Sequence, residues 1–284
     1  MSSNRDCGAA LRASDRDIGF VSGPDDFAAA FQASREAVER LVLYERLLRQ
    51  WQKAVNLVAP GTLDAVWHRH FADSAQLVPL APPGTRAWID LGSGAGFPGL
   101  VVAILLAWPG TPSPRASPTS SRAPPARGEG RGEGQRHTPA SEIASAPHPS
   151  PLPASGERES PSPRVTLIES DTRKCAFLHE VARQVGLGVD ILSARAESAR
   201  TLVNEGLPRV VSARALAPLD RLLGLVEPLS PPGTTLLLMK GKEARKELQM
   251  AETAWTFDVE LIPSVTEKHG RVAVITNLER KAKD

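Results

Sequence analysis

One glycine-rich segment constrains the fold of this chain more than any other: Asp90-Leu91-Gly92-Ser93-Gly94-Ala95-Gly96-Phe97-Pro98-Gly99. The apolar run before it, residues 86–91, predicts a short buried strand, and the apolar run after it, residues 100–107, predicts a helix. Glycines permit a tight turn and a close approach of the backbone to a ligand, and the start of the helix adds unpaired N–H groups. This strand–turn–helix unit is typical of α/β sheets that bind a nucleotide-like ligand.

The rest of the sequence alternates between strand and helix patterns. Further strands are expected at 165–168, 189–192, 210–212 and 234–239, and helices at 172–185 and from 242 onwards. Two strands without a helix between them, 257–262 and 272–276, follow. The alternation predicts an α/β fold, a mostly parallel sheet with helices on both faces. The last strand pair predicts one antiparallel strand at the edge of this sheet.

The region before the glycine-rich segment is predicted to be helical. Apolar residues recur at helical spacing between Phe27 and Trp51, which predicts one long amphipathic helix after residue 25. A second helix is expected to begin with Thr62 as its N-cap and to run towards residue 77.

A low-complexity stretch, residues 109–164, divides the chain. Pro, Gly and Ser make up about half of it, and it has no aromatic residue. Such a segment buries too little apolar surface to offset its chain entropy, which predicts a disordered insertion. It is interpreted as a tolerated surface loop, with an Arg-rich RNA-binding arm as the alternative. The predicted organisation is a flexible segment at 1–23 and one domain at 24–284: a helical part at 24–84 and a Rossmann-like core at 85–108 and 165–284.

Composition excludes several classes of protein. The formal net charge is +2, from 34 basic and 32 acidic residues, which argues against binding nucleic acid through bulk charge alone. Two cysteines, Cys7 and Cys175, make neither a disulfide framework nor a zinc site and suggest a reducing compartment. No apolar segment is long enough for a secretory signal or a membrane span, so a cytoplasmic protein without membrane contact is expected.

The glycine-rich segment admits two interpretations. Residues 94–99 fit G-x-G-x-x-G, the weak signature of a dinucleotide site. The longer form, Asp90-x-Gly92-x-Gly94-x-Gly96, resembles motif I of class I methyltransferases, which use S-adenosylmethionine. The acidic start favours this second interpretation, because a carboxylate would repel a pyrophosphate and suits a cationic amino acid moiety. Asp90 is therefore expected to act near that moiety.

Four further residues, in three segments of the chain, belong to the predicted site. Glu169 ends a strand, and without the insertion it falls at the spacing of the acid that binds ribose hydroxyls. Ala196 and Glu197 lie in the loop after the next strand, where the adenine would lie, although Glu197 also suits the first turn of a helix. Arg214 follows a strand among small and apolar residues, which favours a ligand carboxylate or phosphate, or an ion pair with Asp90 or another acid of the site.

These segments together resemble the small-subunit ribosomal RNA guanine-N7 methyltransferase family, RsmG or glucose-inhibited division protein B. The resemblance runs from Leu43 to Asn277 apart from the insertion, and the segments that carry it include residues 51–57, 69–74, 169–174, 212–219 and 238–241. It implies methyl transfer from S-adenosylmethionine to N7 of one guanine in 16S rRNA. By resemblance, the cofactor-binding positions are Gly92, Phe97, Glu169, Ala196, Glu197 and Arg214, and the family motif also covers Asn56, His70, Asp73, Ser74 and Lys240.

The implied chemistry requires few catalytic groups. Guanine N7 already carries a lone pair, so methylation needs orientation more than acid–base catalysis. Asp73, His70 and Lys240 are the candidate catalytic residues, with Asp73 placed to stabilise a guanine cation. Basic residues that are candidates for phosphate contacts are Arg69, Arg173, Lys174, Lys240, Lys242, Arg245 and Lys246. No metal site is expected, the small ribosomal subunit is the expected partner, and a monomer is the default. A methyltransferase with another acceptor and a non-catalytic ribosome-assembly factor remain alternatives.

Overall fold

A seven-stranded sheet is the framework of the residues that the structure describes. The computed structural model describes residues 18–110, 163–198 and 209–282. The strands are β1 (Ala87–Leu91), β2 (Arg164–Glu169), β3 (Asp190–Ser193), β4 (Arg209–Arg214), β5 (Thr235–Lys240), β6 (Trp255–Pro263) and β7 (Arg271–Arg280). Their order across the sheet is β3-β2-β1-β4-β5-β7-β6, and β1 to β5 pair in parallel. The mostly parallel α/β sheet is confirmed.

Helices cover both faces of this sheet. They are α1 (Pro24–Phe31), α2 (Arg35–Trp51), the single turn α3 (Asp73–Ala75), α4 (Gly99–Ala107), α5 (Thr172–Val185), α6 (Leu219–Val226) and α7 (Ala244–Ala251). One apolar core joins the sheet to α1, α2, α4 and α5, and a second joins it to α6 and α7. Helix α4 is apolar on all sides because it is buried, whereas α5 is amphipathic. No helix in the described ranges is long and apolar enough to cross a membrane.

Three predictions for the secondary structure are wrong. The expected single long helix is two, because Gln32 adopts a left-handed conformation and Ser34 caps a new helix by accepting from the Ala37 N–H. Thr62 is not an N-cap but lies inside a 3₁₀ segment, Pro60–Ala65, which is followed by a π-helical turn, Trp67–Ala72. The antiparallel strand, β7, does not lie at the edge, since it pairs with both β5 and β6.

The topology explains where a ligand site forms. The order of parallel strands reverses between β1 and β4, and the crevice beyond their carboxyl ends is the usual ligand site of open α/β sheets. The glycine-rich loop follows β1, and Arg214 ends β4. The predicted insertion at 109–164 lies outside the described residues except at its ends, and so do residues 1–17 of the predicted flexible segment. Within that segment Val21 is buried, and its N–H donates to His68 Nδ1.

Candidate active site at the carboxyl edge of the sheet

A cavity of about 760 Å³ opens at the carboxyl edge of the parallel strands. The glycine-rich loop, the end of β2 and the residues after β4 form one part of its wall. The helical region before β1 and the β6–β7 loop close the other part. Of the residues predicted for the site, the cavity wall contains Gly92, Gly94, Phe97, Glu169, Ala196, Arg214, His70, Asp73 and Lys240. Asp90, Gly96, Glu197, Asn56 and Ser74 are not among its lining residues.

The glycines of the loop, Gly92, Gly94 and Gly96, all have a positive φ, but their surroundings differ. A Cβ on Gly92 would lie 2.7 Å from a methyl carbon of Leu216, and a Cβ on Gly96 would lie 2.6 Å from both Leu100 and the Tyr44 hydroxyl. A Cβ on Gly94 would meet only the Gly92 carbonyl oxygen, at 3.9 Å. Gly92 and Gly96 therefore allow close packing inside the protein, whereas Gly94 leaves space on the cavity side.

Asp90 was expected beside the ligand, but it does not lie on the cavity wall. Its carboxylate is fully buried beneath the loop, where it accepts from the Gly99 N–H at 3.1 Å and from the Ser212 hydroxyl at 2.7 Å. Burial raises the pKa of Asp90 to about 6, against the lowering effect of these hydrogen bonds. The carboxylate thus ties the start of α4 to β4 and does not reach the cavity, so the prediction that it acts on a ligand's amino acid moiety is corrected.

Glu169 joins the loop to the end of β2. One oxygen accepts from the Gly94 N–H at 2.8 Å, and the other accepts from the Ser170 and Asp171 N–H groups at 2.7 and 2.8 Å. A carboxylate has about four lone-pair positions, so one remains for a ligand. The side chain lies on the cavity wall with 8% of its surface exposed.

The loop after β3 contributes backbone and small side chains. The Ala194 N–H donates to the Glu169 carbonyl at 2.9 Å, which holds this loop against β2. Ala194 and Ala196 line the cavity, while Glu197 is exposed in the following turn. Of the two predicted positions, only Ala196 therefore lies on the cavity wall.

Arg214 is the centre of a polar cluster. Its Nη1 donates to an Asp73 carboxylate oxygen at 3.1 Å and to the Arg69 carbonyl at 3.3 Å, and its Nη2 donates to His70 Nδ1. The ion pair predicted as an alternative thus forms with Asp73 and not with Asp90. Among the described residues, the Nε–H and one of the two N–H groups of Nη2 have no partner.

Asp73 also contacts Thr266, which lies in the loop between β6 and β7. It accepts hydrogen bonds from the Thr266 hydroxyl at 2.7 Å and from the Gln76 amide at 2.9 Å. Burial raises the pKa of Asp73, whereas the charge of Arg214 and the bond from Thr266 lower it. These bonds and the ion pair with Arg214 hold the Asp73 carboxylate in place, so the structure assigns it the positioning of the guanidinium, and its suggested role beside a guanine cation stays a prediction. Sequence patterns contain no signal for Thr266.

His70 is neutral, with its proton on Nε2. Arginine has no acceptor, so Nδ1 must accept from Arg214, and Nε2 lies 2.8 Å from the Thr62 hydroxyl. That hydroxyl donates onward to the Ala59 carbonyl at 2.7 Å, so Nε2 is the donor. Burial and the charges of Arg214 and Arg69 lower the pKa of His70 to about 3. His70 therefore positions the guanidinium and is not a base at neutral pH.

Aromatic packing fixes the loop from behind. The Phe97 ring lies between His70, with ring centroids 4.8 Å apart, and Tyr44, with centroids 5.4 Å apart. Both pairs have an interplanar angle of 18°, and the Tyr44 hydroxyl donates to the Ala95 carbonyl. Only 5% of Phe97 is exposed, so its ring supports the wall of the cavity more than it faces a ligand.

Lys240 forms an ion pair at the end of β5. Its Nζ donates to a Glu247 carboxylate oxygen and to the Ala217 carbonyl, both at 2.8 Å. The sequence interpretation does not include Glu247, since one acid in the charged helix α7 is not distinctive. The two remaining motif positions are peripheral: Asn56 is exposed, and the buried Ser74 hydroxyl donates to the His70 carbonyl. Over the described ranges, no cluster of His, Cys, Asp or Glu side chains suits a metal ion.

Comparison with known proteins identifies the family. The family model described as "GidB: rRNA small subunit methyltransferase G" matches residues 37–108 and 158–275, so the residues it leaves out between them lie within the predicted insertion. A "Ribosomal RNA small subunit methyltransferase G" of Parvibaculum lavamentivorans is 40% identical over 258 residues, which cover 91% of each chain. One from Rhodospirillum centenum is 41% identical over 253 residues, 89% of this chain and 90% of that protein. The chain therefore belongs to the rRNA small subunit methyltransferase G (GidB) family.

Proposed function

We propose that this chain transfers a methyl group from S-adenosylmethionine to N7 of a guanine in the 16S rRNA of the small ribosomal subunit. The observation that carries the proposal is that the glycine-rich loop, Glu169 and Arg214 line the same cavity in a member of this family. The choice of N7 as acceptor atom follows from the family resemblance.

The residues around the cavity fit S-adenosylmethionine by their chemistry. The unpartnered Nε–H and Nη2–H of Arg214 suit the carboxylate of the methionine moiety, since a guanidinium binds a carboxylate through two parallel bonds. Glu169 would accept from a ribose hydroxyl through its remaining lone pair. Ala196 lies where the adenine ring would pack, and Gly94 leaves space beside the ligand.

When bound, S-adenosylmethionine supplies an electrophilic methyl group on a positively charged sulfur. The lone pair of guanine N7 forms the new bond to the methyl carbon as the carbon–sulfur bond breaks, so no proton has to be removed. This agrees with a site whose one buried histidine, His70, is held neutral and hydrogen-bonded on both ring nitrogens. The chain's own contribution is to orient both reactants, which can lower a barrier by several kcal/mol.

Basic residues at the cavity suit an RNA partner. Arg69, Lys174 and Arg271 are partly exposed and line it, and Arg69 also forms an exposed ion pair with Glu267. With a net charge of +2, we expect weak binding to naked RNA and recognition of the shaped target in an assembled particle. We expect the enzyme to be cytoplasmic and to act as a monomer. Sedimentation of the purified chain would test the monomeric state.

The direct test is transfer of labelled methyl from S-adenosylmethionine to small subunits that lack N7-methylguanosine, followed by mapping of the modified nucleotide. We expect label at one guanine N7 of 16S rRNA, and none with Gly94→Asp or Arg214→Ala. Cofactor binding without label in the rRNA would contradict the proposal and favour another acceptor or an assembly role.

A further inference from the structure

A second, smaller cavity adjoins the first beyond the end of β5. Its volume is about 430 Å³, and its wall consists of Ala215–Pro218, Met239–Gly241 and Glu247. Five of these residues also line the larger cavity: Ala215, Leu216, Met239, Lys240 and Gly241. The two cavities are therefore neighbours with a common wall, and a planar group in the smaller one would lie next to a ligand in the larger one.

Lys240 and Glu247 form the polar part of this smaller cavity. Lys240 Nζ has three N–H donors, of which one is bonded to the Ala217 carbonyl and one to Glu247 Oε2. Glu247 Oε2 also accepts from the Leu219 N–H at 2.8 Å, but Glu247 Oε1 has no partner among the described residues. The pair thus has one free donor on Lys240 beside one free acceptor on Glu247.

This pair is held in a fixed position. The Lys240 side chain is only 8% exposed, and the bond from the Leu219 N–H ties Glu247 to the start of α6. The bond from Lys240 to the Ala217 carbonyl fixes the loop between β4 and α6. In that loop Ala215 has φ +51°. Leu216 packs against Gly92 at the boundary of the two cavities, and 37% of the surface of Leu216 is exposed. The loop and the ion pair are preorganised, which is what a specificity site needs.

A donor next to an acceptor is complementary to guanine and not to adenine. Guanine presents the O6 acceptor next to the N1–H donor, whereas adenine presents the N6 amino donor next to the N1 acceptor. We propose that the smaller cavity binds the acceptor guanine, with Lys240 donating to O6 and Glu247 Oε1 accepting from N1–H. This inference rests on the proposed function and extends it by assigning the residues that recognise the base.

The same contact would favour the reaction itself. Methylation at N7 makes the base a cation, and its N1–H becomes a stronger donor as the charge develops. A fixed carboxylate at N1–H therefore binds the transition state more tightly than the neutral guanine. Lys240 alone would oppose the developing charge, but its ion pair with Glu247 leaves the two side chains neutral as a unit.

The decisive experiment replaces the acceptor nucleoside. Small subunits are reconstituted with rRNA that carries guanosine, inosine or 2,6-diaminopurine riboside at the acceptor position, and kcat/KM for methyl transfer is measured with the complete chain. Inosine keeps O6 and N1–H, so we expect transfer within about fivefold of guanosine. Diaminopurine keeps N7 but reverses the donor and acceptor, so we expect a loss of at least about tenfold.

A variant separates recognition from the intrinsic reactivity of N7. In Glu247→Gln, the amide can donate to N1 of diaminopurine, so we expect the ratio of guanosine to diaminopurine transfer to fall by at least about tenfold. Intrinsic reactivity is the same for both enzymes and cancels in this comparison. Glu252→Gln, which makes the same charge change at an exposed residue just after α7, should leave the ratio unchanged.

The outcomes distinguish the two proposals. Equal transfer to guanosine and diaminopurine by the unchanged enzyme would overturn base recognition by this pair while leaving the proposed function intact. A Glu247→Gln variant that lowers both rates by the same factor would also overturn it, because a purely structural role predicts that result. Absence of transfer to all three substrates would overturn the proposed function and this inference with it.

Discussion

His70 Nδ1 accepts a hydrogen bond from the guanidinium of Arg214, and this contact joins the helical region before β1 to the end of β4. The contact requires a neutral imidazole, because a protonated ring has no acceptor. A buried, neutral histidine thus determines how the guanidinium is oriented, while Asp73 compensates its charge.

Acid should destabilise the protein through His70. Its pKa is about 3 in the folded chain and 6.5 ordinarily, so its contribution to stability is complete above pH 6.5 and is lost as pH falls towards 3. Between pH 7 and pH 5, we expect the free energy of unfolding of the unchanged protein to fall by about 2 kcal/mol more than that of His70→Asn. Asparagine keeps an acceptor for Arg214 and does not titrate. Denaturant titrations at the two pH values measure this difference, and equal pH dependences would contradict it.

Arg214→Lys should weaken cofactor binding more than it weakens the fold. Lysine can still neutralise Asp73 but cannot present two parallel donors to a carboxylate. We expect the Kd for S-adenosylmethionine to rise by about 10- to 100-fold in isothermal titration calorimetry. The affinity for 5′-methylthioadenosine, which lacks the amino acid moiety, should stay within about twofold. An equal loss for both ligands would mean that Arg214 does not bind the carboxylate.

Gly94 and Gly96 should differ when each is changed to alanine. Both have positive φ, so each change costs about 1 kcal/mol in backbone strain. In Gly96→Ala the new methyl would also clash with Leu100 and Tyr44, and we expect a total loss of about 3 kcal/mol or more. In Gly94→Ala the methyl would stand in the cavity, so we expect weaker cofactor binding with little further loss of stability. Thermal unfolding and calorimetry of both variants test the contrast, which a larger stability loss in Gly94→Ala would contradict.

The predicted insertion should be dispensable. Helix α4 ends at Ala107 and β2 begins at Arg164, and such a connection normally takes only about two to six residues. We expect replacement of residues 111–162 by a linker of about four Gly and Ser residues to leave the melting temperature and cofactor affinity unchanged. Gly110 should be kept, because its backbone packs closely against the Gln32 carbonyl. A large loss of methyl transfer to small subunits, with cofactor binding intact, would instead support an RNA-binding arm.

Local patterns predicted most of the regular structure and the glycine-rich end of the candidate site. Helix α5 agrees with its predicted range, because an amphipathic repeat, the Asp171 N-cap and Gly186 at its end are all local signals. The glycine-rich loop was located for the same reason, since its glycines are adjacent in the chain. Local patterns failed at Gln32–Ser34, where the apolar spacing continues across a break between two helices.

Patterns along the chain were thus enough to predict a mostly parallel α/β sheet with a glycine-rich loop and a distant acid, Glu169. The contacts between side chains depend on the complete fold: Asp73 meets Arg214 and Thr266, Asp90 lies beneath the loop, and Lys240 meets Glu247. The position of β7 between β5 and β6 also depends on the complete fold and on no local pattern. Periodicity and turn chemistry act over a few residues, whereas these contacts join residues that only the complete arrangement of the chain brings together.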